Sequence, residues 1–238
     1  MDEWIECKLA DTCESINYGL TASASEDPVG PHLLRITDIV GGNIDWASVP
    51  YVEADSTTTE KYLLQDGDIV LARTGASTGT SMFIKRPPKA IFASYLVRLK
   101  INYDFDSQFV AYFLKSNAFL SYIHGVLGDK SAQPNASAST MKQAPMRAPR
   151  NIDEQRQIGS LLGTLDDKID LNRRMNETLE AMARAIFKDW FVDFGPTRAK
   201  AEGRVPYLAS EIWDLFPHAL DDDDKPEGWE MRSVYDYA

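Results

Sequence analysis

The chain has 238 residues, 44% of them hydrophobic and 26% charged. Those proportions exclude a mainly disordered chain, a collagen-like repeat and a small disulfide scaffold. The formal net charge is −11, so a nucleic-acid partner would have to be met by local Lys and Arg rather than by bulk charge. The charge is uneven. Residues 1–150 hold 14 Lys/Arg against 17 Asp/Glu, whereas residues 151–238 hold 11 against 19. The nearly balanced first part leaves room for a basic face, and the acidic second part suits contact with protein. No apolar run approaches the roughly 18 residues of a membrane span, so no membrane partner is expected. Met1-Asp2-Glu3-Trp4 has neither a basic n-region nor an apolar h-region, and a cytoplasmic location is expected. Cys7 and Cys13 read as reduced thiols without further ligand-type neighbours, so no metal is expected.

In chain order, Leu33–Ile36 reads as a short strand, followed by Thr37–Val40 and the turn Gly41-Gly42-Asn43. Asp66-Gly67 leads into a second strand, 68–73. A loop of small residues, 74–81, precedes a returning strand at 82–84. Pro87-Pro88 breaks the chain, and 90–100 reads as one or two further strands. Residues 106–123 read as a helix with Phe109, Tyr112, Phe113 and Leu120 on one face. Residues 128–140 read as a polar loop.

Pro145 and Pro149 then close a first domain, 1–150. Asn151 and Glu154 have capping-box spacing. Apolar residues follow at Ile158, Leu162, Leu165 and Ile169, and again at Leu179, Ala183, Ile186 and Trp190. The alternating 4,3 spacing is that of a coiled-coil seam, with Asn172 and Asn176 as polar seam positions that set register. Gly195-Pro196 is expected to stop this helix, 151–195. A long amphipathic helix packed on its own domain is the alternative. Residues 196–225 read as a linker whose Asp221–Lys225 run is either acidic spacer or a protease-type sequence. Residues 226–238 read as the start of a second unit, because Trp229, Val234 and Asp236 repeat the spacing of Trp4, Leu9 and Asp11. The fold class is α+β: a mostly β domain followed by a coiled-coil-type helix.

Several segments, in order, resemble the DNA-specificity (S) subunit of type I restriction-modification systems. They are Trp4…Leu9-Ala10-Asp11 with Tyr18-Gly19; Leu34–Ile39; Leu64–Gly75; Gln133-Pro134-Asn135; Pro149–Ile158; and Pro226-Glu227-Gly228-Trp229. The resemblance implies a target-recognition domain that reads half of a split double-stranded DNA site, and a helix that acts as a spacer. It implies two domains and two helices per subunit, whereas this chain holds one of each and a stub. A second copy of itself, paired through the helix, would restore the layout. It implies a non-catalytic subunit that works with a methyltransferase subunit carrying S-adenosylmethionine. An endonuclease subunit is a further partner it leaves open. This chain itself would hold no cofactor.

The residues agree that catalysis lies elsewhere. No amino-methyltransferase motif is present, and Gly75-Ala76-Ser77-Thr78-Gly79 is followed by Thr80-Ser81 rather than a P-loop Lys. His32, His124 and His218 are far apart in sequence. Base readout needs donors and acceptors on loops carried by a rigid scaffold. Two loops qualify. The first offers Arg73, Thr74, Ser77 and Thr78. The second offers Lys130, Ser131, Gln133 and Asn135. An ordinary hairpin turn and a polar linker are the competing readings. Lys85, Arg86 and Lys89 suit phosphates or plain solvent. Trp190, Phe191 and Phe194 at the helix end, with Phe187, are candidates for docking the methyltransferase or for packing on a partner helix. The rival to the whole reading is a homodimeric coiled-coil scaffold that does not read DNA.

Overall fold

The structure is a computed structural model in which residues 3–127 and 135–230 are described. It divides into two compact units between Asp166 and Asp167. Among the described residues no helix is long and apolar enough to cross a membrane.

In the first unit, β1 (Trp4–Lys8) runs through a tight turn into β2 (Cys13–Tyr18). Then come β3 (His32–Leu34), α1 (Ile36–Ile39), α2 (Ser56–Tyr62), β4 (Ile69–Ala72) and β5 (Ser81–Phe83). Next are β6 (Ala90–Phe92), β7 (Leu96–Ile101), α3 (Ser107–Lys115) and α4 (Asn117–Leu127). After the undescribed residues follow α5 (Ala138–Met141), β8 (Pro145–Pro149) and α6 (Ile152–Phe191). A four-stranded antiparallel sheet has the order β2-β7-β4-β5, β3 pairs parallel with β6, and β1 pairs antiparallel with β8.

The expected strand at 68–73 is β4, and its unbroken apolar run has a structural cause. Ile69 and Leu71 face a core built with Phe109, Leu114, Phe119 and Ile123 of α3 and α4. Val70 and Ala72 face a second core with Leu34, Ile39, Leu64 and Phe92. A strand covered on both faces loses polar alternation. Its rim carries a buried ion pair. Arg98 of β7 lies 3.9 Å from Asp68 and donates to the Leu63 carbonyl at 2.7 Å. Burial lowers the affinity of Arg98 for its proton and raises that of Asp68, while each charge partly offsets the other's shift.

Two expectations about elements are corrected, and one strand is added. The strand expected at Leu33–Ile36 stops at Leu34: Asp38 takes the Arg35 backbone N–H at 2.7 Å and its guanidinium at 2.9 and 3.1 Å, which turns the chain into α1. The single helix expected over 106–123 is two, because Ser116 has extended backbone (φ −75°, ψ 154°). Pro145 and Pro149 stand in a segment for which the sequence predicts no element. They bracket β8, which is tolerable because that strand belongs to a two-stranded ribbon with only one pairing edge in use. Pairing Trp4 with Pro149 also brings residues distant in sequence together where α6 starts.

Helix α6 is 40 residues long, about 60 Å at ~1.5 Å per residue. Asn151 caps it by accepting the Asp153 backbone N–H at 2.8 Å. Its first turns belong to the first unit. Gln155 is buried, donates to the Pro149 carbonyl and accepts from the Asp106 N–H. Gly159 and Gly163 are buried against α3: a Cβ on Gly159 would lie 2.8 Å from the Asp106 carboxylate and 3.1 Å from the Phe109 nitrogen. Tyr112 and Lys115 reach Asp166 at 2.9 and 3.5 Å.

The second unit is the rest of α6 with a short helical tail. The long helix ends at Phe191, before the expected stop. Gly195-Pro196 instead opens α7 (Gly195–Ala201), preceded by Phe194 in left-handed backbone (φ 54°). Proline in a first helical turn loses no hydrogen bond, because that N–H has no partner there anyway. Residues 196–225, expected as a linker, also hold α8 (Ser210–Trp213) and a turn. In that turn the Asp221 carboxylate accepts the backbone N–H groups of Asp223 and Lys225, each at 3.0 Å. Trp213 and Phe216 are buried.

Candidate nucleic-acid interface

The loop between β4 and β5 is closed by backbone pairing of Ala72 with Gly79 and Thr80. Inside it, Thr78 and Thr80 N–H groups donate back to Gly75 and Ser77. Gly75 and Gly79 have φ of +74° and +92°, which other side chains rarely adopt. The Thr78 hydroxyl donates to the Gly75 carbonyl at 2.7 Å and Thr78 is buried. Thr78 therefore shapes the loop from within. Thr74 and Ser77 are half-buried.

The structure joins the two candidate readout segments. Thr74 and Asn135 form an isolated antiparallel bridge, and the Ala136 N–H donates to the Arg73 carbonyl at 2.8 Å. Ala136 is buried, and Asn135 is exposed beside it. The Arg73 N–H is held at 3.1 Å by the carbonyl of Tyr95, an exposed residue between β6 and β7. Lys130, Ser131 and Gln133 lie outside the described residues. Lys85, Arg86 and Lys89 are exposed between β5 and β6, with the Arg86 N–H anchored on Asp66.

Reasoning from sequence missed a residue at this place. Tyr18, at the end of β2, lies under the Arg73 guanidinium, 4.9 Å from ring centroid to Cζ. Its hydroxyl accepts the Ala138 N–H at 3.0 Å. A ring face and a backbone acceptor so far apart in sequence leave no local pattern. Tyr18-Gly19 was visible only as part of the family resemblance. The adjoining glycine is required sterically, since a Cβ at Gly19 would sit 2.3 Å from the carbonyls of Phe92 and Ala93.

The seam residues fall into two groups. Ile158 and Leu162 are half-buried, and Ile158 packs on the core of the first unit. Leu165, Ile169, Asn172, Asn176, Leu179, Ala183 and Ile186 are exposed within this chain. Met175 and Met182, also exposed, flank that stripe and widen it. At the helix end, Trp190 meets Phe216 at 5.5 Å between ring centroids. Trp229 stacks on Phe191 and meets Phe194 edge-on, both at 5.8 Å. The aromatic residues expected to dock a partner are thus engaged by their own chain, although Phe187 stays 59% exposed and Phe191 44%. Trp229 and Trp4 also differ in surroundings: Trp4 packs edge-on to Phe109 at 6.4 Å. Val234 and Asp236 lie outside the described residues.

Among the described residues no three His, Cys, Asp or Glu side chains are grouped to hold a metal. Both thiols are free, and burial raises the pKa of each.

Residues 1–181 match the family model described as "Type I restriction modification DNA specificity domain". The type I restriction enzyme HindI specificity subunit of Haemophilus influenzae is 26% identical over 218 residues, covering 90% of this chain and 46% of that protein. The MjaIX specificity subunit of Methanocaldococcus jannaschii is also 26% identical, covering 85% and 46%. The chain spans about half the length of these relatives. Among solved structures, the HsdS subunit from Thermoanaerobacter tengcongensis aligns with a TM-score of 0.51 at 15% identity, over 96% of this chain and 51% of that one. The type I S subunit from M. genitalium aligns with a TM-score of 0.50 at 14% identity, over 89% and 48%. These structural likenesses establish a shared fold of sheet domain and long helix.

Proposed function

The chain belongs to the type I restriction-modification DNA specificity family, and from that premise we propose that it is the non-catalytic component that selects the DNA sequence. The observation that carries this reading is the Thr74–Asn135 bridge, which joins the β4–β5 loop holding Arg73, Thr74 and Ser77 to the segment holding Asn135. Arg offers paired donors for guanine, and Asn offers a donor and an acceptor for adenine. Lys130, Ser131 and Gln133, outside the described residues, carry donors and acceptors of the same kind.

One domain reads one half of a bipartite site. The exposed stripe from Leu165 to Ile186 pairs with a second copy, because an apolar face of that length is costly in water. The helix midpoint falls between Leu171 and Asn172, so antiparallel copies would cross near Asn172 and Asn176. A two-fold assembly reads a palindromic bipartite sequence. The methyltransferase subunit, with S-adenosylmethionine, docks where Phe187 and Phe191 remain exposed, and an endonuclease subunit joins through it. The location is the cytoplasm, where the target DNA lies.

The test is co-purification of the full chain from its source cell followed by mapping of methylated bases. Recovery of an adenine methyltransferase, with a split palindromic methylated motif lost on Arg73→Ala, is expected. Recovery of the chain alone, with no sequence preference on duplex DNA, would establish the dimeric scaffold instead.

A further inference from the structure

Arg73 is half-buried, and its Nε is sealed from solvent with no acceptor. Among the described residues none forms a hydrogen bond or ion pair with its guanidinium, so its two terminal nitrogens have no acceptor there. The group is nevertheless not loose. Its backbone is pinned on one side by Tyr95 and on the other by Ala136, and its Cζ lies over the ring of Tyr18. The same tyrosine holds the second segment through its hydroxyl and the Ala138 N–H.

Resting on the DNA-reading function proposed above, we infer that Tyr18 is the positioning residue of the site: its ring face aims Arg73 end-on at a guanine edge, while its hydroxyl ties the 135–138 segment to the same register. Three features carry this. Sealing Nε leaves only the two terminal nitrogens for a ligand, and their fork matches paired acceptors such as guanine O6 and N7. Stacking on an aromatic face restricts the guanidinium without consuming those donors. A donor set that is already ordered loses less freedom on binding, and its directionality discriminates between bases. Tyr18 touches no phosphate in this scheme, so it governs which base is accepted and leaves general attraction to DNA unchanged.

The experiment is selection of a randomised duplex DNA pool by the full chain, with sequencing of the bound fraction and a salt titration of binding. The wild type is expected to select a motif with a guanine at a fixed position. Arg73→Ala should lose that position. Tyr18→Ala should lose the same position, cutting the preference there by about tenfold, with an unchanged salt slope. Tyr18→Phe, which keeps the ring face, should retain the guanine. Should the alanine variant fail to fold, Tyr18→Leu fills the space without a π face and should lose the guanine likewise. A guanine lost with Arg73→Ala but kept with both non-aromatic variants would overturn the role of Tyr18 alone. A motif unchanged by Arg73→Ala, or no motif from the wild type, would overturn the site assignment on which this inference rests.

Discussion

The two halves of helix α6 share one backbone geometry and differ in what covers them. From Ile152 to Asp166 the side facing the first unit carries Gln155, Gly159 and Gly163, and small residues there let the helix axis approach α3. From 171 to 188 every residue is exposed within the chain, although the apolar spacing continues through Leu179 and Ile186. Apolar periodicity and intrachain packing are therefore separate properties. The docked stripe is small and partly polar. The apolar stripe lies mostly on residues this chain does not cover.

The largest effect should come from breaking the bare half. Leu165→Glu with Ile169→Glu is expected to convert dimers to monomers, which light scattering would report as a halved mass. A dimer that survives would place the self-association elsewhere. Next is the docked half. Gly159→Leu should destabilise the first unit by about 2 kcal/mol, because the added side chain meets backbone at Phe109 and the capping carboxylate of Asp106. Chemical denaturation would measure it.

Asp166→Ala removes an exposed hydrogen-bond acceptor for Tyr112 and should cost about 1 kcal/mol. Gly163→Ala should be close to neutral. Its Cβ meets only the movable amide of Gln108, and helix propensity returns about 1 kcal/mol. A loss there as large as at Gly159 would mean that the whole docked face tolerates no side chain. The smallest effect is expected at a polar position of the seam. Asn176→Leu should tighten the dimer modestly while permitting other registers, seen as heterogeneous cross-linking between copies.

The sequence by itself determined the long helix, its 4,3 seam and its Asn151 cap, because each depends on neighbours within a few turns. It also determined β4 and the small-residue loop after it, with Gly75 and Gly79 at positive φ, whereas Ala138–Thr140 of the segment expected as a polar loop belong to α5. Three things were decided only by tertiary structure. The antiparallel pairing of β1 with β8 joins residues about 140 positions apart, and two prolines masked the second strand. The contact of Arg73 with Tyr18 spans strands that meet only through β7. The division of α6 at Asp166 depends on what α3 covers, because exposure is a property of the packed chain and not of a residue. Local rules reach as far as hydrogen bonds and side chains three or four residues apart. The proposed readout site draws on segments far beyond that range, so its members were visible singly and their arrangement was not.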